Sequence, residues 1–388
     1  MPPRVAIVSP VPVPYREPLF GALAERSRID PRIVYLAASQ AGWDQPPEWF
    51  AGREGYQSEV LSGWQRARPG RSPLTIARGL GAALGRADPD CVVSWEYGPA
   101  TWRALAWCGR RRRPLLVFSE LTPWSDAALS ALRPRVHRAL APRISGFIVA
   151  SSQGAERLAR LGVEPDRVEV ALQSADLEPL LALPAGRARR EGPVRVLVVG
   201  RLVPDKNLGL LLEAFAEAGI EGEAELVLHG KGPLESDLRA QAARLGVAAS
   251  FPGALPPSAL PAAYADADVL ALVSTYEPFG VTMREGAAAG LPLLCSRRAG
   301  AAGDVAVEGE NALLVDPSSR AELAAALQRL VREPELRERL AAGSRAVTDR
   351  HPLEADAEAW ERAVRAAAAA PHSPPSPAPP PADRGAAG

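Results

Sequence analysis

Two periodicities alternate along this chain. Short apolar runs at residues 5–9, 33–36, 91–95, 115–119 and 146–150 have the length and composition of buried strands, and stretches at 18–25, 73–86 and 154–161 between them read as helices. The second half repeats the scheme. Strand-like runs at 194–199, 225–228, 269–273 and 291–294 alternate with helical segments, among them 208–218, which carries Leu208, Leu211, Leu212 and Phe215 at helical spacing. Such alternation predicts an α/β fold, and its recurrence predicts two Rossmann-like domains with a cleft between them. Pro179, Pro184, Gly186 and an arginine cluster (Arg187, Arg189, Arg190) interrupt the alternation between 176 and 192. The expected organisation is therefore a first domain over 1–180, a second over 181–350, a last helix over 351–369 and a tail over 370–388. That helix carries Leu353, Ala357, Trp360 and Val364 near helical spacing. The tail is almost wholly Pro, Ala, Ser and Gly, too poor in apolar bulk to offset ordering entropy, and is expected to be disordered.

At 388 residues and 47% hydrophobic content, the chain can fill two cores of ordinary size. Net charge is zero, but the halves differ: residues 1–190 hold 26 basic and 18 acidic side chains, the remainder 19 and 27. A basic first half suits an anionic acceptor or a lipid surface. The four arginines at 110–113 read better as a solvated helix end, favoured there by the helix dipole. Cys91, Cys108 and Cys295 are odd in number and widely scattered, which points to neither a disulfide framework nor a zinc site. The first apolar run is too brief for a signal peptide, and the uncharged stretch 247–265 is broken by prolines, so a soluble cytoplasmic protein is expected.

Candidate chemistry sits where strands of the second half run into helices. After the apolar run 269–273, Glu277 precedes Pro278 and is held extended, Gly280 completes the turn, and Glu285 lies about one helical turn beyond the helix start. Free amides of Phe279, Gly280 and Val281 at that start suit a phosphate, while two carboxylates suit sugar hydroxyls. Upstream, Gly200 ends a strand and Arg201 and Lys206 fall in the following strand-to-helix loop, the place where doubly wound sheets form their ligand crevice. Gly230 and Gly232, beside Lys231 and Pro233, allow close approach of backbone to a ligand. They lack the third glycine of a dinucleotide fingerprint, since position 235 is Glu. His229 reads as structural, and His137 and His351 show no partner that marks them.

These landmarks, taken in order, resemble the retaining glycosyltransferases of the GT-B fold, family 4 (group 1 glycosyltransferases). Their signature is a glutamate, seven residues and a second glutamate, matched here by Glu277 and Glu285; the likeness covers roughly 194–347 well and the first half in outline. The resemblance implies two Rossmann-like domains facing across a cleft, with a C-terminal helix crossing back to the first. It implies that Arg201 and Lys206 grip a diphosphate, that Glu277 contacts the transferred sugar and Glu285 the nucleotide ribose, and that Gly230 and Gly232 lie near the nucleotide. A nucleotide diphosphate sugar would then be the co-substrate, with no bound cofactor.

Acceptor-side candidates stand at strand ends of the first half: residues 12–16, 95–98 and 119–122, with Glu96 and Glu120 the acids of interest. Glu120 is the catalytic candidate there, where many relatives carry a histidine. Asp88, Asp90, Asp266 and Asp268 form two Asp-x-Asp triplets, but each precedes a strand and so lies at the sheet edge away from ligands. No metal site is assigned. The reading is a metal-independent hexosyltransferase acting on an acceptor hydroxyl of a glycan, glycolipid or small molecule. The acceptor is open to lipid-linked or anionic chemistry and peripheral contact with the inner membrane face, and no nucleic-acid partner is expected. A sugar-nucleotide epimerase on the same scaffold and an inactive donor-binding subunit are the alternatives.

Overall fold

The computed structural model describes residues 1–41, 55–68, 71–129, 132–184 and 192–370; side chains are described within these ranges except at 67–68, 71–72 and 127–129. Strands β1 (Arg4–Ser9), β2 (Asp30–Tyr35), β3 (Gln57–Val60), β4 (Gly63–Arg68), β5 (Arg71–Ala77), β6 (Cys91–Trp95), β7 (Leu115–Ser119), β8 (Gly146–Val149) and β9 (Val168–Val170) belong to the first half. The second half contributes β10 (Val194–Val199), β11 (Ala224–His229), β12 (Ala249–Gly253), β13 (Val269–Leu272), β14 (Leu293–Ser296) and β15 (Ala312–Val315). One seven-stranded sheet has the order β3-β2-β1-β6-β7-β8-β9, and one six-stranded sheet the order β12-β11-β10-β13-β14-β15. Their ladders are parallel throughout. Helices cover the faces, which is why β6, β7, β13 and β14 are apolar on both sides and fully buried.

In each sheet the strand order turns back at the first strand, so the loops after β1 and β6, and after β10 and β13, diverge at a switch point. These are the loops that bear residues 12–16, 96–98, 200–207 and 274–280. The fold thus delivers both sets of candidate residues to the carboxyl ends of their sheets.

One expected helix is absent as read. Residues 73–86 divide into strand β5 and the helix Leu80–Ala87. β5 pairs antiparallel with β4, placing Ile76 opposite Trp64, and Gly79, at φ 76°, supplies the turn into the helix. The pairing needs glycine at 63, because a Cβ there would stand 2.5 Å from the Ile76 carbonyl oxygen. Strands β3, β9, β12 and β15 also went unread. The arginine cluster at 187, 189 and 190, Gly186 and the tail from 371 lie outside the described residues.

The helix Leu353–Ala369 packs on the first sheet, as the resemblance implied. Trp360 is fully buried against Phe118 and Trp95, with ring centroids at 5.3 and 6.2 Å. Arg26 binds Glu361 at 2.8 Å and Glu358 at 3.0 Å, and Arg362 binds Glu169 at 3.0 Å. Among the described residues no helix is long and apolar enough to cross a membrane.

Trp360→Ala should cost about 3–5 kcal/mol, as truncation of a large buried aromatic does. Equilibrium denaturation of the full chain measures this. A loss below about 1 kcal/mol would mean that the crossing helix is only loosely held.

Candidate functional site

Two strand-to-helix turns of the second sheet are tied into one structure. After β10, residues 201–207 run through a short 3-10 turn to Asn207, which adopts φ 58° and starts the helix Leu208–Glu217. The Asn207 amide donates to the Val273 carbonyl at 3.2 Å and to that of Pro317 at 2.8 Å, and the Thr275 N–H donates to the Asp205 carbonyl at 2.9 Å. With the backbones fixed, Lys206 Nζ meets Glu277 Oε2, and the buried Ser274 hydroxyl donates to the same oxygen at 3.2 Å. Arg201 is exposed at the mouth of the loop.

Gly230 and Gly232 admit the chain's own backbone. A Cβ on Gly230 would lie 1.7 Å from the Gly200 carbonyl oxygen, and one on Gly232 would lie 2.2 Å from that of Leu202. Neither site can take a side chain. The loop after β11 is therefore laid directly on the loop after β10, with the Gly200 N–H bonded to the His229 carbonyl at 2.9 Å. His229 directs Nδ1 to the Gly253 carbonyl, 3.3 Å away, and burial lowers its pKa.

The acidic turn is backed by the loop after β14. The N–H of Gly300 donates to the Glu277 carbonyl at 3.1 Å and that of Ala301 to the Phe279 carbonyl at 2.8 Å. Gly280 has φ 98° and starts the helix Val281–Ala288, while Phe279 is buried beneath it. Within that helix Gly286 lies against β13 and β14, since a Cβ would stand 2.3 Å from Leu270 Cδ2. Glu285 is half-buried and accepts from the hydroxyl of fully buried Tyr264 at 2.5 Å. Burial raises the pKa of its carboxyl group, and the Tyr264 hydrogen bond opposes that rise. Nothing in the sequence spacing marks Tyr264 as the partner of Glu285; the contact arises only when the helix Leu260–Ala265 packs beside the helix that bears Glu285.

The first sheet answers across the cleft. The pKa of Tyr15, in the loop after β1, is raised by burial, and its hydroxyl senses the charges of Arg16, Glu120, Glu277 and Arg201. One phenol thus reports both sheets. Arg16 is buried with its guanidinium 4.2 Å above the Trp95 ring and Nη2 3.3 Å from Glu120. Glu96, at φ 55° after β6, accepts from the Glu120 N–H at 2.6 Å and the Ser119 hydroxyl at 3.0 Å. Burial, reinforced by the charge of Glu120, pushes its carboxyl up to about 7. Tyr276, next to Glu277, reaches the first domain: its hydroxyl interacts with Ser125 and lies in the field of Glu96 and Glu120. Sequence reasoning passed over Tyr276, although it is adjacent to the first glutamate of the pair.

The remaining candidates are structural. His137 has partners after all: it stacks on Tyr97 with ring centroids 3.7 Å apart and binds Arg157 at 2.7 Å, and burial lowers its pKa to about 3. Asp88 and Asp90 hold Arg4 and Arg113, and Asp266 and Asp268 hold Arg195, all at the amino edges of the sheets. That is the helix-to-strand turn role expected of them. Arg110 and Arg111 end the helix Pro99–Arg111, and Arg112 caps it at φ 56°. Cys91, Cys108 and Cys295 are buried free thiols.

Glu96 makes a testable electrostatic feature. Its pKa in the folded protein exceeds that of the unfolded chain, so the native state binds the proton more tightly and stability falls as pH rises from about 4.5 to about 7. Glu96→Gln removes this dependence. The variant should exceed wild type by on the order of 1 kcal/mol at pH 8, and the gain should shrink toward pH 5. Denaturant unfolding at both pH values checks it, and a difference independent of pH would contradict it.

Comparison with known proteins fits this geometry. Residues 183–347 match the family model described as glycosyl transferases group 1, and residues 22–178 match that of glycosyltransferase family 4. The chain is 36% identical over 202 residues to a D-inositol 3-phosphate glycosyltransferase of Acidothermus cellulolyticus, covering 47% of this chain and 44% of that protein. It is 29% identical over 225 residues to a glycogen synthase of Mycobacterium tuberculosis, covering 57% and 54%. The chain thus spans about half the length of the curated relatives it matches. Among solved structures, HepE from Anabaena in complex with UDP and glucose superimposes with a TM-score of 0.74 over 94% of this chain and all of that one, at 18% identity. Sucrose-phosphate synthase from Thermosynechococcus elongatus gives 0.70 over 94% and 98%, at 21% identity. Residues 183–347 therefore carry the group 1 glycosyl transferase pattern and residues 22–178 that of glycosyltransferase family 4, on a chain with the GT-B fold.

Proposed function

We propose that this chain is a metal-independent, retaining glycosyltransferase that moves a hexose from a nucleoside diphosphate sugar to an acceptor hydroxyl. The observation that carries the reading is the pairing of Lys206 with Glu277 beside Arg201 on the second sheet, with Tyr15 of the first sheet within electrostatic reach of Glu277, Arg201 and Glu120. Cations and carboxylates on one side, with a separate acid on the other, match a donor bearing both phosphates and hydroxyls. The HepE structure, which holds UDP and glucose, and the relatives named as glycosyltransferases support a donor of this class.

In this account Arg201 and Lys206 offset the charge of the departing diphosphate, assisted by the amides of Phe279, Gly280 and Val281 at the helix start. Glu285 accepts ribose hydroxyls, its ring-side partner Tyr264 fixing the carboxylate. Glu277 orients the sugar once Lys206 exchanges it for the diphosphate. Gly200, Gly230 and Gly232 keep the backbone of the two adjoining loops close enough to form the nucleotide's floor. Transfer forms the bond from the acceptor oxygen to the anomeric carbon and breaks the bond from that carbon to the phosphate oxygen, which takes up the acceptor's proton. Glu120, held by Arg16, orients the acceptor hydroxyl.

A screen of nucleotide sugars, assayed in excess chelator for release of nucleoside diphosphate with a new glycoside, tests the reading. Arg201→Ala and Lys206→Ala should each lower turnover on the order of 100-fold or more, because each removes charge opposite the leaving group. Wild-type turnover in the double variant would overturn the assignment. Glu285→Ala should weaken binding of the bare nucleoside diphosphate by roughly 1.5–3 kcal/mol. Equal affinity by calorimetry would remove Glu285 from the ribose site.

A further inference from the structure

The chain passes between the two sheets twice, and one side chain grips both passages. The first crossing leaves β9 at Val170 and continues through Leu172 and Gln173; the second returns through His351 to the helix Leu353–Ala369. Arg284 lies between them, only 3% exposed, on the helix that bears Glu285. Its Nη1 donates to the Gln173 carbonyl at 3.0 Å and to Asp356 Oδ2 at 2.7 Å, and its Nη2 donates to the His351 carbonyl at 2.7 Å. Asp356 closes the circuit, accepting the Leu172 N–H on Oδ1 at 2.8 Å.

We propose that Arg284 is the positioning residue of the interdomain hinge, fixing both chain crossings to the helix that carries Glu285 and so setting the angle between the sheets from the donor side of the cleft. Three features of the geometry support this. A charge pair this buried is tolerated only when its hydrogen bonds are made, and here the guanidinium reaches three acceptors on two chain passages. The helix itself does not need the pair, since Met283, Gly286 and Ala287 already bury it against β13 and β14. The opposite lip of the cleft is joined by weaker, more exposed contacts: Ser152 bonds Asp304 at 2.8 and 3.0 Å, Gln153 reaches the Ala299 and Ala302 carbonyls, and Arg298 lies 5.4 Å from the Trp124 ring. A firm hinge facing a lighter latch is the arrangement a closing cleft requires.

The consequence for turnover rests on the glycosyltransferase reading; the consequence for domain geometry does not. Replacing one partner would strand a buried charge, so the test uses Arg284→Met together with Asp356→Leu, alongside Arg284→Lys. Spin labels at Glu164→Cys and Glu338→Cys, both exposed positions on opposite domains, read the interdomain distance in the full chain, because the native cysteines are buried. The pair variant should broaden the distance distribution about twofold or more, with Arg284→Lys intermediate, since an ammonium cannot reach both crossings at once. Affinity for uridine diphosphate should change less than about 3-fold, while turnover of an active donor falls about 10-fold or more at a nearly constant donor KM. An unchanged distribution overturns the proposal, as does a broadened one with wild-type turnover. If the pair variant does not fold, Arg284→Lys carries the same measurement. A wild-type chain that turns over no nucleotide sugar defeats the functional reading alone, and the distance distributions still decide the hinge.

Discussion

The ion pair between Lys206 and Glu277 is the contact on which the candidate site of the second sheet depends. It joins the loop after β10 to the loop after β13, the two turns that flank the switch point of the second sheet. Neither turn stands by itself. Asn207 in its left-handed conformation, the Thr275 amide on Asp205 and the buried Ser274 hydroxyl all hold the two side chains where they meet, and the 297–303 loop supports the turn from behind. In the proposed function this pair exchanges partners, a diphosphate taking the ammonium and a sugar hydroxyl the carboxylate.

The rest of the architecture brings the first sheet to that pair. Trp360 and the neighbouring salt bridges fasten the last helix to the first domain, while Arg284 and Asp356 fasten the start of that helix to the donor helix. Tyr15, Glu120, Glu96 and Tyr276 then meet across the cleft. The chemistry is consequently spread over loops that are far apart in sequence, and the sheets supply the common frame.

Much of this was legible from residue order. Strands β6 and β7 fall on their expected residues because strands buried on both faces read as near-continuous apolar runs, and β10 does so with Arg195 alone breaking its run. The spacing of Glu277 and Glu285 was readable because a proline and a glycine define the turn locally. Edge strands β3 and β12 were not, since half-exposed strands carry polar residues such as those of Gln57–Val60. The hairpin β4–β5 was missed for another reason: Leu74 and Ile76 lie close enough to the helix beginning at Leu80 for the apolar positions to merge into one helical pattern. Partners separated by long stretches of chain, such as Tyr264 for Glu285 or Asp356 for Arg284, leave no local trace. The glycines at 230 and 232 were noticed for close approach to a ligand, and the structure adds that they admit the chain's own backbone, which no local spacing announced.

The most direct test of the account is a crystal structure of the full chain with a nucleoside diphosphate bound. The account predicts the diphosphate against Arg201, Lys206 and the amides at the start of Val281–Ala288, with ribose hydroxyls on Glu285. A diphosphate bound elsewhere, with Lys206 still paired to Glu277 and Glu285 touching only Tyr264, would contradict it.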